Sequence, residues 1–151
     1  MVELKVGDRA PDFTLTDERG LPRSLKNYLG KSPVVLYFYP KDFTPGCTAE
    51  ACSFRDDLKV YEQKGAVVVG VSLDSVESHA RFSEHYNLPF TLLSDNKKEV
   101  AKAYGVLGLG GLLAKRVTFI IDRSGSIAAI FSRVDVKQHS QEVLEALEKV
   151  R

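Results

Sequence analysis

The longest apolar run in the chain is Val34-Val35-Leu36-Tyr37-Phe38-Tyr39, and Pro40-Lys41-Asp42-Phe43-Thr44-Pro45-Gly46-Cys47 follows it directly. Because the apolar run is continuous rather than alternating, it predicts a strand that is buried on both faces and ends at Pro40. A helix is predicted over residues 45–64, with Gly65 as its cap. Its apolar residues recur at helical spacing at Ala51, Phe54, Leu58 and Tyr61. The sequence therefore places Cys47, one of only two cysteines, at the start of a helix that follows a buried strand.

The rest of the chain alternates between strands and helices. Further strands are predicted at 13–15, 67–73 and 90–93, and a hairpin pairs 117–121 with 127–131 around the turn at 122–125. Further helices are predicted from Asp74, which forms a capping-box pattern with Glu77, to residue 86, and over 97–104. A last helix carries Val143, Leu144, Leu147 and Val150 on one face. No linker or repeat divides the chain, so residues 1–151 are expected to form a single α/β domain, a central mixed sheet with helices on both faces.

Charge and composition exclude several classes of partner. The 21 basic and 20 acidic residues are mixed along the chain and form no basic stripe, which argues against nucleic acid or an anionic membrane. The apolar run at 34–39 is too short to span a bilayer, and residues 1–5 show no apolar signal-peptide core. We therefore expect a cytoplasmic protein. In that compartment a pair of cysteines is more typical of catalysis, redox sensing or metal binding than of a structural disulfide.

Cys47 has the context of a reactive thiol. Thr44 is a good N-cap residue, and Pro45 suits the first helical position because its missing N–H would have no partner there. Cys47 then falls in the first turn, where free backbone N–H groups and the helix dipole favour an anion. A free thiol titrates near pH 8.5, and in such settings this falls to roughly 3.5–7.5. The pattern predicts a thiolate at Cys47 at neutral pH.

Cys52 lies five residues further along the same predicted helix. Five residues give ~7.5 Å of rise and ~140° of rotation, so the two Cα atoms should be roughly 8.7 Å apart. A disulfide needs Cα atoms within about 7 Å, so Cys47 and Cys52 can bond only if the first turns of the helix unwind. A simpler alternative, in which one or both cysteines are small buried hydrophobes, remains open at this point.

The sequence does not indicate a cofactor. Two cysteines do not make a zinc site, since a structural site usually needs four ligands. His79 and His85 are ~120° apart around their predicted helix, and we interpret them and His139 as structural or exposed residues. The glycines at 105, 108, 110 and 111 match neither a Walker loop nor a dinucleotide fingerprint.

The motif around Cys47 resembles the active-site signature of a known family. Pro40, Thr44 and Cys47 have the spacing Pro-x-x-x-Thr-x-x-Cys of the peroxiredoxins. The extended run Thr44-Pro45-Gly46-Cys47-Thr48-Ala49-Glu50-Ala51-Cys52 is similar to the bacterioferritin-comigratory, or Q-type, branch of that family. Residues 6–13 resemble the family's usual opening, and Arg116 occupies the position of its second active-site arginine. The resemblance covers nearly the whole chain.

The resemblance implies a thioredoxin-like fold and thiol-dependent reduction of hydrogen peroxide and alkyl hydroperoxides. By position, Cys47 would be the peroxidatic cysteine and Cys52 the resolving one. Pro40 would shield the sulfur, Thr44 would hydrogen-bond the reacting oxygen, and Arg116 would stabilise the thiolate and polarise the peroxide. Thioredoxin or a glutaredoxin-like protein would reduce the resulting disulfide, and no metal, flavin or haem is implied. Glu50, in the first turns of the helix, is assigned a supporting role.

One segment departs from the expected branch. Residues 105–114, Gly-Val-Leu-Gly-Leu-Gly-Gly-Leu-Leu-Ala, are more apolar and glycine-rich than the resemblance leads us to expect. The segment directly precedes Arg116, so we hypothesise that it lines the peroxide entrance and favours organic hydroperoxides.

Other functions and assemblies remain open on the sequence alone. A thiol–disulfide oxidoreductase is one alternative, although that role favours a Cys-x-x-Cys pair, which this chain lacks. A non-enzymatic redox sensor or holdase, in which oxidation exposes apolar surface, is another. An external thiol could also bypass Cys52. Because an intramolecular pair needs no partner subunit, the chain could act as a monomer or a weak homodimer.

Overall fold

The computed structural model describes residues 3–150. Its strands are β1 (Thr14–Asp17), β2 (Pro22–Ser24), β3 (Val34–Phe38), β4 (Val67–Ser72), β5 (Thr91–Ser94), β6 (Val117–Ile121) and β7 (Ile127–Phe131). Its helices are α1 (Pro45–Asp56), α2 (Leu58–Gln63), α3 (Val76–Tyr86), α4 (Glu99–Ala103) and α5 (His139–Leu147). Short 3₁₀ turns lie at Leu25–Asn27 and Leu109–Gly111.

All of these strands join one mixed sheet with the order β2-β1-β5-β4-β3-β6-β7. The central strands β3, β4 and β5 are parallel, and β6 pairs antiparallel with β3. The hairpin β6–β7 is confirmed, and β2 is a strand that the sequence pattern did not predict. The predicted central mixed sheet is therefore confirmed, and β3, which leads to Cys47, lies near its middle.

Each face of the sheet carries its own buried core. Tyr37 and its neighbours on one face of β3 pack against α1, α2, α3 and α5, whereas Leu36 and Phe38 on the other face pack against α4. Every residue of β3 is buried, as the continuous apolar run predicted. The helices thus lie on both faces, and α1 covers the face that carries Tyr37.

Gly70 of β4 makes room for the Tyr37 ring. The two residues are register partners on adjacent strands, and a Cβ at Gly70 would lie 2.8 Å from Tyr37 Cζ. Real Cβ atoms do not approach other atoms so closely. A glycine is therefore required for the Tyr37 ring to lie where it does.

The single helix predicted over 45–64 is wrong, because the structure breaks it at Asp57. α1 ends at Asp56, α2 begins at Leu58, and Asp57 has φ −97° and ψ 5° between them. The Asp57 carboxylate accepts a hydrogen bond from Ser140 Oγ of α5 at 2.7 Å. Aspartate is also a poor residue for a helix interior. A contact 83 residues away along the chain thus accompanies a break that periodicity could not reveal.

The predicted start of α3 is also wrong in detail. Ser75, not Asp74, is the N-cap, and its side chain accepts a hydrogen bond from the backbone N–H of Ser78. Asp74 instead accepts hydrogen bonds from Ser72 Oγ and from the backbone N–H of Asp42. These tertiary partners draw the Asp74 carboxylate away from the helix end. Of the helices that the structure describes, none has the length and apolar character needed to cross a membrane.

Candidate active site

The Cys47 side chain lies at the junction of β3 and α1. It occupies the third position of α1, and its exposed fraction is only 1%. Its neighbours in the buried core include Tyr37, Ala51 and Phe54. The predicted position in the first helical turn is therefore confirmed, and the thiol is free rather than bonded in a disulfide.

Arg116 connects two residues of α1. Its Nη2 donates a hydrogen bond to Cys47 Sγ at 3.2 Å, and its Nη1 donates to Glu50 Oε1 at 2.7 Å. Arg116 directly precedes β6, which pairs with β3, while Cys47 and Glu50 are three residues apart on one face of α1. The strand pairing thus brings an arginine that is 69 residues away onto the thiol.

Gly46 leaves space for this arginine. A Cβ built at Gly46 would lie 3.1 Å from Arg116 Nη2, closer than ordinary van der Waals contact. A side chain there would push against the guanidinium group that contacts Cys47. The glycine in the motif is therefore explained by the close approach of Arg116 to the start of α1.

Glu50 is a buried carboxyl group with an incomplete set of partners. Its exposed fraction is 1%, and Oε2 has no hydrogen-bond partner among the described residues. Burial raises the pKa of Glu50 to about 7, although Arg116 acts in the opposite direction. The effect of burial on the pKa of Glu50 is thus larger than the opposite effect of the ion pair with Arg116. The favourable N-terminal position, which suggested an ordinary supporting carboxylate, did not reveal this burial.

The contacts of Arg116 with Glu50 and Cys47 stabilise its positive charge. Burial lowers the pKa of Arg116, but the charges of Glu50 and Cys47 raise it by more, so the net shift is upward. The guanidinium group therefore stays cationic at every physiological pH. It presents fixed N–H donors to the sulfur and leaves the site with a permanent positive charge.

Thr44 and Pro40 lie in the loop that leads into α1. Thr44 is the N-cap by its backbone, with φ −80° and ψ 150°, but its side chain does not cap the helix. Instead Thr44 Oγ1 donates a hydrogen bond to the Lys41 carbonyl oxygen at 2.7 Å. Thr44 is therefore confirmed as the N-cap residue, but its hydroxyl makes this loop contact and accepts no hydrogen bond from the N–H groups of α1. The roles of Thr44 toward the peroxide and of half-buried Pro40 as a shield stay predictions.

Cys52 lies on the same unbroken helix as Cys47. α1 runs from Pro45 to Asp56, and Cys52 is half-buried and free. With five residues of regular helix between them, the two cysteines have Cα atoms roughly 8.7 Å apart, beyond disulfide reach. A bond between them requires part of α1 to unwind.

Two of the three histidines, which the sequence indicates are structural or exposed, are buried. His139 lies at the start of α5, and its Nε2 shares a hydrogen bond with Thr118 Oγ1 at 2.6 Å. Burial, with a smaller contribution from the charge of Arg116, lowers the pKa of His139 to about 4. His79 on α3 contacts Asp42 of the motif loop. His85 is exposed. No sequence spacing could pair His79 with Asp42, since 37 residues separate them.

The fold and site together define the class, a thioredoxin-like fold that holds a buried thiol against an arginine at the start of a helix. Residues 6–130 match the AhpC/TSA family. Among similar proteins, the putative peroxiredoxin bcp of Coxiella burnetii is 46% identical, covering 97% of this chain and 100% of that protein. Peroxiredoxin Bcp of Bacillus subtilis is 43% identical, covering 95% of each. The chain therefore belongs to the AhpC/TSA family, as a peroxiredoxin of the Bcp and peroxiredoxin Q branch, and it is a thiol peroxidase.

Solved structures agree with this assignment. Peroxidoxin BcpB from Mycobacterium tuberculosis superposes with a TM-score of 0.91 at 41% identity, covering 98% of this chain and 99% of that one. A mutant of PrxQ from Xylella fastidiosa gives a TM-score of 0.92 at 32% identity, with 99% and 98% covered. A structure described for the alkyl peroxide reduction activity of the Xanthomonas campestris bacterioferritin comigratory protein gives 0.85 at 34% identity, with 91% and 90% covered.

The elevated pKa of Glu50 predicts a characteristic pH dependence of stability. Between pH 4.5 and 7 the folded protein keeps a proton on Glu50 that the unfolded chain has lost, so the free energy of unfolding falls as pH rises. His139 has the opposite slope, because its low pKa leaves the folded state neutral where the unfolded chain is protonated. The free energy of unfolding of Glu50→Gln minus that of the unsubstituted protein should therefore increase by on the order of 3 kcal/mol from pH 4.5 to 7. The contribution of His139 is the same in both proteins and cancels in this difference.

Urea denaturation at pH 4.5, 5.5, 6.5 and 7.5 measures this difference. Glu142→Gln, an exposed carboxyl group on α5, is the matched control and should leave the pH profile unchanged. A constant difference between Glu50→Gln and the unsubstituted protein at all four pH values would contradict the burial of an uncharged Glu50.

Proposed function

We propose that the chain reduces hydrogen peroxide and organic hydroperoxides through a Cys47 sulfenic acid and an intramolecular Cys47–Cys52 disulfide. The observation that supports this most directly is the buried Cys47 sulfur, in the first turn of α1, with Arg116 Nη2 at 3.2 Å. The helix terminus and the guanidinium group both favour a thiolate there. Cys52 on the same helix supplies a second thiol whose approach needs only a local change.

The first step is a nucleophilic displacement. The Cys47 thiolate attacks one peroxide oxygen and the O–O bond breaks. The released hydroxide or alkoxide takes up a proton and leaves as water or alcohol, and the sulfur becomes a sulfenic acid. Peroxide is small and offers little binding surface, so positioning and charge must supply the rate. Arg116 suits both tasks, with Thr44 donating to the reacting oxygen and Pro40 shielding the sulfur.

The second step forms the disulfide. The Cys52 thiol attacks the sulfenic sulfur, an S–S bond forms, and the oxygen leaves as water. α1 must unwind for this step, since an intact helix keeps the two cysteines beyond bonding distance. Two electrons from an external dithiol, thioredoxin or a glutaredoxin-like protein, return both cysteines to the reduced state.

The comparisons support the substrate class. The similar bacterioferritin comigratory protein of Xanthomonas campestris is described for its alkyl peroxide reduction activity, and we propose the same activity for the present chain. Antioxidant defence in the cytoplasm fits a peroxidase that carries two free thiols. An internal resolving cysteine needs no partner subunit, so a monomer or a weak homodimer would suffice, and the cycle as written uses no cofactor.

The disulfide cycle predicts a specific mass change. One equivalent of hydrogen peroxide added to the reduced protein should remove both thiols and lower the intact mass by about 2 Da. Cys52→Ser should instead gain oxygen at Cys47, and Cys47→Ser should keep its remaining thiol. Intact mass and free-thiol counts measure these outcomes. Both thiols surviving for minutes would contradict peroxidase activity through Cys47, whereas oxygen on Cys47 with an intact Cys52 would discard only the resolving role.

The position of Arg116 predicts a selective loss of activity. Arg116→Ala should lower the rate constant for peroxide by roughly 10²–10³-fold, because a fixed donor to the reacting atoms is lost. Exchange of Cys47 with a small disulfide should change much less, since that reaction needs no polarised peroxide. Arg133→Ala, an exposed arginine, is the control. Equal losses in both reactions would favour a general thiol–disulfide oxidoreductase, and undiminished peroxide reduction would remove Arg116 from the peroxide reaction.

The loop at 105–114 predicts a preference for organic peroxides. Leu112 and Leu113 are 76% and 44% exposed, so they offer apolar surface just before Arg116. Leu112→Ser should lower the ratio of kcat/KM for cumene hydroperoxide to that for hydrogen peroxide by roughly 4- to 15-fold, the loss expected for one or two buried CH₂ groups. Leu21→Ser, at a similarly exposed leucine on the β1–β2 turn, should leave the ratio unchanged. An unchanged ratio in Leu112→Ser would remove this loop from substrate selection.

A further inference from the structure

A buried carboxylate, that of Asp42, holds the loop between β3 and α1 in place by hydrogen bonds. Asp42 lies five residues before Cys47 and is only 4% exposed. Its Oδ1 accepts a hydrogen bond from the Tyr39 hydroxyl at 2.6 Å. Its Oδ2 accepts one from Ser78 Oγ at 2.8 Å and lies 2.7 Å from His79 Nδ1. The side chain of Tyr39, which directly follows β3, and two side chains of α3 thus converge on this loop residue.

The hydrogen bonds of His79 determine how many protons the pair holds. Its Nε2 lies 2.9 Å from the carbonyl oxygen of Leu93, which can only accept, so Nε2 carries a proton. Its Nδ1 faces a carboxylate oxygen, so a second proton must lie between Nδ1 and Asp42. The pair is therefore an imidazolium–carboxylate ion pair or its neutral tautomer. Either form is fully hydrogen-bonded, which a buried charged group requires.

The backbone of the loop is held at the same residue. The Asp42 N–H donates to Asp74 Oδ2 at 2.9 Å, and Ser72 Oγ donates to the same oxygen at 2.6 Å. Side-chain atoms of Asp42, Asp74 and His79 that could bind a metal lie within 4.8 Å of one another. The Oδ2 atoms and both ring nitrogens already have partners within the protein, which is the arrangement of a hydrogen-bonded network rather than of an open metal site.

The next residue, Phe43, is held in an unfavourable conformation. Its φ is +65°, in the left-handed region that costs a bulky residue roughly 1–2 kcal/mol. Its ring packs against Phe82 and Tyr86 of α3, with centroids 5.1 and 6.2 Å away. Such strain persists only where the surroundings fix the chain, and here the anchors of Asp42 on one side and the start of α1 on the other do so.

We propose that Asp42 and His79 are positioning residues, which fix the 40–44 loop on α3 and thereby place Thr44 and Cys47 for reaction with peroxide. This inference rests on the proposed function of Cys47. The network joins the loop to Tyr39 after β3, to Asp74 after β4, to Leu93 of β5 and to α3, and none of these partners lies in α1. A displacement of about 1 Å at a reacting group can cost roughly 10²-fold in rate, so a loose loop would slow the peroxide reaction specifically.

A matched pair of serines on α3 tests the proposal. Ser78 and Ser83 are both half-buried, and each hydroxyl donates one hydrogen bond, Ser78 to Asp42 and Ser83 to the Leu88 carbonyl oxygen. The readout is the ratio of two rate constants of Cys47, one with hydrogen peroxide by competition with a haem peroxidase and one with iodoacetamide. Alkylation needs a reactive thiol but no aligned peroxide. Ser78→Ala should lower this ratio several-fold, and Ser83→Ala should not, although both lose one hydrogen bond.

Two substitutions at Asp42 test the role of geometry. Asp42→Ala should lower the ratio by roughly 10- to 100-fold. Asp42→Asn should keep most of it, since an amide can donate to His79 Nδ1 and accept from Tyr39 while Ser78 turns its hydroxyl. A loss in Asp42→Asn as large as that in Asp42→Ala would overturn the hydrogen-bonding account. Should Asp42→Ala fail to fold, the serine pair still decides.

The outcomes separate this inference from the proposed function. If the unsubstituted protein reacts rapidly with peroxide while Ser78→Ala and Asp42→Ala keep its rate ratio, the positioning role is wrong and the peroxidase stands. If the unsubstituted protein itself reacts with peroxide no faster than an ordinary thiol does, the proposed function fails first. A selective fall in the ratio for Ser78→Ala and Asp42→Ala, with Ser83→Ala unchanged, supports both.

Discussion

The contact that organises this molecule is the one between the Arg116 guanidinium group and the Cys47 sulfur. It exists because β6 pairs with β3, so that the residue before β6 meets the helix that follows β3. Glu50 fills the second side of the guanidinium group, and Gly46 leaves the space that it occupies. The Arg116 cation thus contacts both the Cys47 sulfur and the Glu50 carboxyl group in one partly buried cluster. The balance between burial and pairing there decides which of the groups carries a proton.

The spacing of apolar and turn residues predicted those structural elements that depend on residues near each other in the sequence. The continuous apolar run of β3, the helix start at Cys47 and the β6–β7 hairpin all follow from spacing and turn residues. Tertiary partners decided the rest. Ser140 binds Asp57 where the predicted long helix breaks, and the approach of Arg116 to Glu50 spans 66 residues. The Thr44 hydroxyl likewise donates to the Lys41 carbonyl oxygen in the loop, a contact that the capping pattern does not reveal. The spacing of apolar residues in one sequence carries no information about contacts between distant residues. The helix break and these side-chain contacts therefore could not have been predicted from it.

The proposed cycle places opposite demands on two adjoining segments. The loop at 40–44 must stay in place so that each peroxide meets the same geometry, and it is tied to the sheet and to α3 by buried hydrogen bonds. α1 must yield once per turnover so that Cys52 can reach the sulfur. A short helix draws most of its stability from packing, so local unwinding of α1 costs chiefly the packing contacts of the residues that unwind. Rigid and yielding segments therefore meet within a few residues of Cys47.

The break at Asp57 has a consequence for the cost of that motion. Because α1 and α2 are separate helices, unwinding of α1 has no continuous ladder of backbone hydrogen bonds along which to spread. Asp57 is tied to Ser140, and Tyr61 of α2 donates to the Ser140 carbonyl oxygen, so α2 stays attached to α5. In the proposed cycle, α1 would therefore open as a separate unit while α2 keeps its contacts with α5. In the proposed cycle, the break at Asp57 would confine the unwinding at each turnover to α1 and leave α2 folded.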